Sequence, residues 1–533
     1  MFIDKNRSTV FEAIRQHDQR LFAHLLTPDL FLQAAFRSGL KIISCPLNLI
    51  TLVWLAVTAA RNVEHSFPRL LKEVLRSGRD DERFPQSGLA AVLDRANQHS
   101  TRNDSASRHH PGGTVGPDHV SDRAFANARQ RMPSEFWVAL FILLGERFQQ
   151  RHADLVRWGP FRLMTLDGTR LNVPDYPDNR EHFDTARNKG GSQNAQARLV
   201  LLLFPLARLP LAYSLQPVTV GEPTMARQLL QGLQPWDLTL IDAGLLSYGL
   251  LAQIDQQQVD QQRAYFCVRL AGRKLNLRQV EQLGSPDDVV VEWEPKDSRG
   301  QWRKEGLPKS LRLRLLTYRV NGFRPLRLLT NVLTPEVVSY EQWWGLSVSE
   351  QGEVLSRGLY NLRWEIETAY DELKVKQRLD GGLRSRQSAG VYYEVAGHIL
   401  YYLLVRWLMV EAAVAAGVSP LRLSFQQALQ EIAEMQPHTL MASAGWVEQT
   451  LLPRLRERIG SHRVEERPGR SYPRDAKTRR KLKRARTAQA RRKRKARERR
   501  NPPRPRPWFG DSWDLNGRKH EASDTAAQEG SGH

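Results

Sequence analysis

Two aspartates that follow short apolar segments are the first residues in this sequence suited to chemistry. Asp167 follows FRLMTL and precedes Gly-Thr, and Asp242 follows DLTLI and precedes Ala-Gly. A side chain at the carboxyl end of a strand faces the crevice where an α/β sheet binds ligands, and a small residue after it leaves room for a metal ion and a phosphate. Each aspartate by itself is more often part of a simple turn.

A third acid, Glu367, belongs to a sharper pattern. Tyr360, Arg363, Glu367 and Lys374 follow one another at intervals of three, four and seven residues in YNLRWEIETAYDELK. At about 100° per residue, this spacing places the four side chains within roughly 60° of one another on an α-helix, beside an apolar stripe that can pack on a sheet. The alternative is an ordinary salt-bridged helix face, because Arg363 and Glu367 also have the spacing of a helical ion pair.

The three acids predict metal-dependent chemistry at a phosphodiester. Hydrolysis or strand transfer needs a water or a 3′-hydroxyl in line with the leaving oxygen, and two Mg²⁺ ions roughly 4 Å apart stabilise both oxygens. Mg²⁺ prefers oxygen ligands, so Asp167, Asp242 and Glu367 are the predicted catalytic residues and metal ligands. The same helix offers groups for phosphate: a guanidinium fork, an ammonium and a phenol hydroxyl.

The elements around these residues predict a mixed α/β core. From about residue 160, apolar segments form three strands, a helix near 224–234 and a fourth strand, followed by a helix near 246–258 and the strand AYFCVRL. This order matches a ribonuclease-H-like sheet. DVVVEWEP, LRLRLLTYRV and PLRLLTNVL then predict a β insertion of roughly 70 residues. Helices return from about 347, where Ser347 and Glu350 have the spacing of a capping box.

The first 150 residues have helical periodicity, interrupted at about 98–120 by a polar segment that predicts a loop. After this loop, Ser121 is a predicted N-cap, and Arg123, Arg129 and Arg131 lie on the helix that follows. That helix is either a DNA recognition helix or an ordinary amphipathic helix, because no helix-turn-helix spacing is evident.

Charge and cysteine usage narrow the class of protein. The formal net charge is +22, and residues 463–506 hold 21 lysines or arginines against four acidic residues. So dense a segment favours binding to nucleic acid over a solvated tail without a target. Cys45 and Cys267 are the only cysteines and do not have the spacing of a disulfide framework or a zinc site. We therefore expect a reducing cytoplasm and a metal held by oxygen.

The uncharged segment 42–60 raises the question of a membrane span. Pro46 and several polar residues interrupt it, and no basic-then-apolar signal opens the chain. We expect a buried pair of helices broken at Pro46 and no membrane. His398 lies on a strongly apolar helix and is expected to be a core residue.

Taken together, these segments resemble the DDE transposases of the insertion-sequence-four family, whose signature is the Tyr-Arg-Glu-Lys spacing on the helix that bears the last catalytic acid. The resemblance covers most of the chain. It includes LTPDLFLQAAFRSG, LDGT, LIDAG, LLTNVL, RWEIETAYDELK and, at 466–474, ERPGRSYPR.

One position departs from that family. Characterised relatives place an aromatic residue just before the LLT strand to receive a flipped base, whereas Leu326 and Arg327 stand there in this sequence. Phe323, Trp343 and Trp344 are the candidates to replace it.

The resemblance implies a ribonuclease-H-like core and two Mg²⁺ ions, with Mn²⁺ as a substitute. It implies excision and insertion of DNA by cut-and-paste, carried out by a homodimer that pairs the terminal inverted repeats of a transposon and then attacks target DNA. Tyr360, Arg363 and Lys374 would hold DNA phosphates near the cleaved end. The expected location is the bacterial cytoplasm, associated with the nucleoid.

These patterns and the resemblance together predict the following domain organisation. Residues 1–155 form a helical DNA-binding domain, 156–265 the first part of the core, 266–340 the β insertion, 341–420 the second part of the core with the catalytic helix, 421–461 C-terminal helices, and 462–533 a basic tail.

Other functions stay open on the residues alone. A restriction-like or structure-selective nuclease would use the same metal site without strand transfer. A domesticated DNA-binding protein is a second alternative, although the presence of all three acids and both cations argues against lost chemistry. RNA binding by the basic tail is a third.

Overall fold

This computed structural model describes residues 21–40, 49–67, 69–70, 122–185, 194–259, 262–271, 274–296, 300–319, 325–344, 347–348, 354–356, 358–439, 442 and 444–465. Several predictions lie outside these residues: the loop at 98–120, Ser121, the side chain of Arg123, Cys45, Pro46, Phe323, Glu350 and the basic tail from residue 466 onward.

A ten-stranded mixed sheet runs through the described part of the chain. Its strands are β1 (Arg157–Trp158), β2 (Phe161–Asn172), β3 (Gln196–Phe204), β4 (Leu209–Pro217), β5 (Asp237–Ile241), β8 (Tyr265–Arg269), β9 (Leu277–Gln282), β10 (Asp288–Trp293), β11 (Leu311–Tyr318) and β12 (Leu326–Thr330). Two short hairpins complete the strands: β6 (Gln258–Val259) with β7 (Gln262–Arg263), and β13 (Ser347–Val348) with β14 (Val354–Ser356).

The strand order is β4-β3-β2-β5-β8-β12-β11-β10-β9, with β1 paired to β2. The pairs β2–β5 and β5–β8 are parallel, and the other pairs along this order are antiparallel. The predicted mixed α/β core, with three strands, a helix and a fourth strand, is confirmed. The three predicted strands DVVVEWEP, LRLRLLTYRV and PLRLLTNVL are present as β10, β11 and β12, together with β9, which was not predicted, and they extend the sheet through the pairing of β12 with β8.

Helices surround this sheet. They are α1 (Pro28–Ser38), α2 (Leu49–Arg61), α3 (Asp122–Gln130), α4 (Ser134–Arg151), α5 (Pro177–Phe183), α6 (Glu222–Leu229), α7 (Tyr248–Gln256), α8 (Gln301–Lys304), α9 (Tyr340–Trp344), α10 (Glu365–Asp371), α11 (Ser388–Ala415), α12 (Phe425–Thr439), α13 (Ala444–Trp446) and α14 (Leu452–Ser461). The buried residues of α1, α2 and α4 share one hydrophobic core with strands β3 and β4 and with α11.

Helix α11 is the central helix of that core. It is long and apolar enough to cross a membrane, but 83% of its most apolar window is buried inside the protein, and burial of apolar surface explains its composition. Its Gly397 packs on α2, where a Cβ atom would come within 2.6 Å of the Ala56 carbonyl oxygen. The described part of segment 42–60 is helix α2, which is largely buried, as expected. His398 is buried, in agreement with the predicted core role.

The helix that carries Glu367 differs from its prediction in two respects. Ser347 lies in strand β13, paired with β14, so the predicted capping box is wrong and the helix begins at Leu359. The helix is also irregular: a 3₁₀ segment (Leu359–Trp364) leads into α10, and a π-helical segment (Glu372–Lys376) follows it. We call the whole segment 359–376 the site helix. Such changes of helical pitch are typical of helices under tertiary constraint.

Candidate active site

Asp167 lies inside strand β2, not at its end as predicted. Strand β2 continues to Asn172 because its backbone stays paired with β3 through the register Asp167↔Leu201 and beyond, while its pairing with β5 stops at Leu166↔Ile241. Backbone pairing does not require apolar side chains, so the polar end of this strand was not visible in the hydrophobic pattern.

The parallel register brings Asp167 and Asp242 together. Leu166 of β2 pairs with Ile241, the last residue of β5, and each aspartate is the residue that follows one member of this pair. The small residues that follow them have a role beyond leaving space: the Gly168 amide donates to Asp167 Oδ1 at 2.8 Å, and the Gly244 amide donates to Asp242 Oδ2 at 2.9 Å. Both carboxylates are thereby oriented by their own backbone.

Arg363 joins all three predicted acids. Its side chain is only 2% exposed, and its Nη1 lies 3.5 Å from Asp242 Oδ1 and 4.0 Å from Asp167 Oδ2. Its Nη2 donates to Glu367 Oε1 at 3.0 Å. We call these four residues the site cluster. The helical ion pair considered as the alternative is therefore present, but its guanidinium also contacts the acids of the two strands.

Two tyrosines anchor the site helix to the strands. The Tyr370 hydroxyl donates to the Asp167 carbonyl oxygen at 2.7 Å and accepts from the Leu201 amide at 3.2 Å. The Tyr360 hydroxyl donates to the Ile241 carbonyl oxygen at 3.1 Å, next to Asp242, and its side chain is buried. A phosphate contact by Tyr360 would require this hydrogen bond to be exchanged, so its observed position favours anchoring.

Two further cations border the site. The Lys374 ammonium donates to the Arg170 carbonyl at 2.8 Å and to Thr169 Oγ1 at 3.2 Å, and it lies 3.6 Å from Asp380. Arg269 at the end of β8 lies 3.9 Å from Asp242 Oδ1 and was not recognised in the sequence. Its strand is parallel to β5, which explains why its last residue reaches the same edge as Asp242.

The electrostatic environment of Asp167 is unusual for a carboxylate. Its pKa is raised to about 7, chiefly by burial; Asp242 and, more weakly, Glu222 also raise it, whereas the Gly168 hydrogen bond and the charge of Arg363 lower it. Glu222 begins α6 and is a second residue that the sequence did not reveal. It lies over Gly168, where an added Cβ would come within 2.8 Å of the Glu222 side chain. The absence of a side chain at Gly168 therefore leaves space for Glu222.

The carboxylate oxygens are of the type that holds Mg²⁺ or Mn²⁺. In their present positions, no group of three His, Cys, Asp or Glu side chains within the described ranges is close enough to hold a metal ion. The acids instead surround Arg363 at 3.0–4.0 Å. The donor chemistry fits a divalent cation, and the side chain of Glu367 is 47% exposed at the edge of this group.

A second group of acids and arginines lies on the opposite side of the site helix. Arg208 donates to Glu365 Oε2 and to Glu372 Oε1, each at 2.8 Å, and Tyr402 donates to Glu372 Oε2 at 2.7 Å. Arg406 lies 3.8 Å from Glu372. We call these five residues the buried cluster, because all of them are largely inaccessible. It fixes the site helix to α11 and to the β3–β4 turn.

The other sequence candidates lie away from these acids. The helix predicted after Ser121 is α3, and its Arg129 packs inward between the rings of Phe67 and Phe125, 4.4 and 4.5 Å from their centroids. That position favours the amphipathic interpretation for Arg129, whereas Arg131 is exposed. Trp343 is buried, and Trp344 stacks on Tyr318.

Leu326 and Arg327 lie on β12, where both are partly buried. Cys267 on β8 is a buried free thiol, and burial raises its pKa well above the ordinary value. Strand β12 thus begins with Leu326 and Arg327, and no aromatic side chain occupies its first two positions.

Similarity to known proteins agrees with this site. Residues 158–404 match the family described as the transposase DDE domain, a range that contains every residue of the site cluster. The chain is 27% identical to the transposase InsG for insertion sequence element IS4 of Escherichia coli K12 over 368 residues, which are 66% of this chain and 78% of that protein. It is 28% identical to the putative transposase InsZ of the same organism over 153 residues, covering 27% of this chain and 49% of InsZ.

A solved structure of the piggyBac transposase synaptic complex with hairpin DNA aligns over 84% of this chain and 86% of its own, with 11% identity and a TM-score of 0.37, too low to indicate a common fold. The domain match, which covers slightly less than half of the chain, and the InsG relative are the two findings that bear on function. Over these residues the chain resembles DDE transposases of the IS4 type.

Proposed function

We propose that this chain is a DDE transposase of the IS4 type that excises and inserts an insertion sequence by cut-and-paste, with Mg²⁺-dependent DNA cleavage and strand transfer at Asp167, Asp242 and Glu367. The observation that carries the proposal is the convergence of the three carboxylates on one guanidinium, from two adjacent strands and one helix. Two Mg²⁺ ions held by these acids, or Mn²⁺ in their place, would activate a water or 3′-hydroxyl and stabilise the leaving oxygen. The strand order around them supports a ribonuclease-H-like core.

The protein's own groups have distinct tasks in this proposal. Arg363 is held rigidly by burial, by the acids and by the ring of Trp364, 4.4 Å away. It keeps the carboxylates oriented before the metal binds and offers its guanidinium to a phosphate afterwards. Burial lowers the pKa of Arg363, but Tyr360 and Asp242 outweigh this effect and the net shift is upward, so the side chain stays charged.

Lys374 and Tyr360 complete the proposed DNA contacts. Lys374 is 21% exposed on its side chain and lies beside the open end of β2, where an ammonium would attract a phosphate. Tyr360 supports the backbone beside Asp242 and would reach DNA only by exchanging its bond to Ile241. The proposed partners are the terminal inverted repeats and target DNA, bound by a homodimer. The proposed location is the bacterial cytoplasm, at the nucleoid.

The test is cleavage of a plasmid that carries the element's own ends, with Mg²⁺ present and with Mg²⁺ removed by a chelator. The variant is Glu367→Gln, which keeps the side-chain shape and removes the metal-binding charge. Asp371→Asn is the matched control, because Asp371 is exposed on the same helix and loses the same charge. We expect cuts at the ends and joined products with wild type and the control, and neither product with Glu367→Gln.

Three other outcomes would contradict the proposal. Cuts that survive Glu367→Gln would show that the acids are misassigned. Cuts without any joined product would indicate a nuclease, and specific binding of the ends without cutting would indicate a DNA-binding protein that has lost its chemistry.

A further inference from the structure

A pocket of about 340 Å³ lies outside the site, between helix α3 and the segment that leads from the site helix into α11. Arg129 and Gln130 of α3 line one wall, and Arg384, Arg386 and Gln387 line the other. The two walls are joined by a hydrogen bond from the Gln130 amide to Gln387 Oε1 at 2.7 Å. None of the mechanism above uses this pocket.

The pocket carries an excess of positive charge. Three arginines line it, and no acidic side chain does so within the part of the chain that the structure describes. The nearby acids have other partners: Glu394 accepts from the Arg384 amide, and Asp178 accepts from the Ser388 amide. Most of the N–H groups of Arg384 donate to the last carbonyls of α2 and the turn after it, so Arg384 mainly holds the wall in place.

Arg129 and Arg386 are the groups with capacity for a ligand. The guanidinium of Arg129 is held between two phenylalanine rings, and Nη1 donates to Ser385 Oγ at 3.2 Å, while its buried Nε has no hydrogen-bond partner. Burial lowers the pKa of Arg129, with smaller opposing effects of Tyr393 and Glu394. Arg386 is exposed at the mouth, above the ring of Tyr176 at 5.2 Å.

The ligand that suits these groups is an oxyanion and not an aromatic base. Phe67, the aromatic residue of the lining, is buried, and the guanidinium groups of Arg129 and Arg384 lie 4.4 and 4.6 Å from its centroid. Little of this ring is therefore available for stacking with a base. Arginine forks match the oxygens of a phosphate, and pre-positioned forks lose little entropy on binding.

We propose that this pocket binds a phosphate group of a DNA backbone through Arg129 and Arg386. The proposal rests on the proposed function, since it is a transposase's DNA that supplies the phosphate. The loop 377–387 supports it, because Asp380 of that loop contacts Lys374 and Asn172 beside the site, whereas Arg384 and Arg386 form the pocket wall. The loop therefore connects the site to the pocket.

The experiment measures binding of a labelled duplex with the element's terminal sequence to the full chain, over a range of salt concentrations and in a chelator, so that cleavage plays no part. Arg386→Gln is the main variant because Arg386 is exposed and its replacement leaves the packing intact. Arg129→Gln is the second, and its fold is checked by thermal unfolding. Arg131→Gln is the comparison, because Arg131 is exposed just beyond the end of α3 and does not line the pocket.

We expect Arg386→Gln to weaken binding about tenfold, as for one charge-assisted hydrogen bond, and to flatten the slope of log affinity against log salt by about one. Arg131→Gln should change neither quantity. An equal loss with Arg131→Gln would overturn the pocket, since it would place the DNA contact on the outer surface of α3. Unchanged binding in both pocket variants would also overturn it.

A second measurement separates two sources of the phosphate. If inorganic phosphate raises the melting temperature of the wild type but not of Arg386→Gln, while DNA binding is unaffected by the variant, the pocket takes a free anion and its assignment to DNA is refuted. The plasmid assay keeps the two proposals apart. If the wild type cleaves the plasmid but Arg386→Gln binds DNA as well as the wild type, only the phosphate-binding role of the pocket is refuted. If Arg386→Gln weakens DNA binding but the wild type does not cleave, only the proposed chemistry is refuted.

Discussion

Both sides of the site helix carry carboxylates and guanidinium groups, but their charges are equal in number on one side and unequal on the other. The buried cluster pairs two carboxylates, Glu365 and Glu372, with the two guanidinium groups of Arg208 and Arg406. The site cluster gathers three carboxylates around Arg363, and even with Arg269 nearby one negative charge is unmatched when all three acids are ionised.

This difference in charge balance suits the buried cluster to stabilising the fold and the site cluster to binding a cation. A buried group of charges is stable only when its members neutralise and hydrogen-bond one another, as the buried cluster does. A group with unmatched negative charge at a partly open edge instead attracts a cation. Four predictions test this comparison.

The largest expected effect is on the buried cluster. Arg208→Met leaves Glu365 and Glu372 without their main cation, and we expect a loss of about 3–5 kcal/mol in the free energy of unfolding, measured with denaturant. Arg37→Met is the control, because Arg37 makes a similar two-bonded pair with Glu146 while both side chains are about half exposed. Its expected loss is at most about 1 kcal/mol. Equal losses in the two variants would show that the buried cluster contributes no more to the free energy of unfolding than an exposed ion pair.

Metal should stabilise the site cluster. If its acids bind Mg²⁺ only in the folded state, a concentration one hundred times the Kd raises the free energy of unfolding by about 2.7 kcal/mol. The increase should disappear with a chelator and in Asp242→Asn, and persist in Asp371→Asn. Thermal unfolding with and without Mg²⁺ measures it, and an undiminished increase in Asp242→Asn would exclude Asp242 as a ligand.

Two matched replacements on the site helix should have different effects on stability. Glu372→Gln weakens bonds from Arg208 and Tyr402, and we expect a loss of about 1–3 kcal/mol. Glu367→Gln lies on the half-exposed side and should change the free energy of unfolding by no more than about 0.5 kcal/mol. A larger loss for Glu367→Gln would mean that the site cluster also holds the fold together.

His398 is a buried ionisable group that, unlike the members of the buried cluster, has no carboxylate partner among the described residues. His398 lies on α11, like Tyr402 and Arg406, and burial, assisted by Arg384, lowers its pKa to about 3. The unfolded chain therefore binds a proton between about pH 6.5 and pH 3 that the folded chain does not bind. Stability should fall by about 1.4 kcal/mol per unit as pH drops below 6.5.

His398→Gln should remove this component of the pH dependence. His438→Gln is the control, because His438 is exposed. The free energy of unfolding measured between pH 7 and pH 5 checks both variants. An unchanged slope in His398→Gln would show that His398 is protonated in the folded protein.

Much of the fold could be predicted from local pattern. The three early strands, helix α6, strand β5 and strands β10, β11 and β12 follow from short apolar segments bounded by turn residues. Strand β9 (LRQVEQ) was not predicted, because most of its side chains are polar and exposed. The start of the site helix could not, because a serine and a glutamate with capping-box spacing are only a local preference. The pairing of β13 with β14, a tertiary choice, overrode it.

The site was predicted as a set of residues but not as a geometry. Sequence spacing singled out Glu367 and Arg363, and strand-end position singled out the two aspartates. Their roles in catalysis and DNA binding stay predictions. Arg269 and Glu222 escaped notice because nothing in their local sequence distinguishes them. They reach the site through strand order and helix packing.

Hydrophobic periodicity was sufficient to locate most strands and helices, and residue type was sufficient to identify side chains with the chemistry to bind metal and phosphate. These are properties of periodicity and of side-chain type, which a local stretch of chain contains. Local sequence did not reveal that Asp167 lies within a strand, that the Tyr360 hydroxyl donates to the Ile241 carbonyl oxygen, or that the Arg363 guanidinium lies close to three acids. Those outcomes depend on register between segments distant in the chain, and such register is set by packing of the whole core.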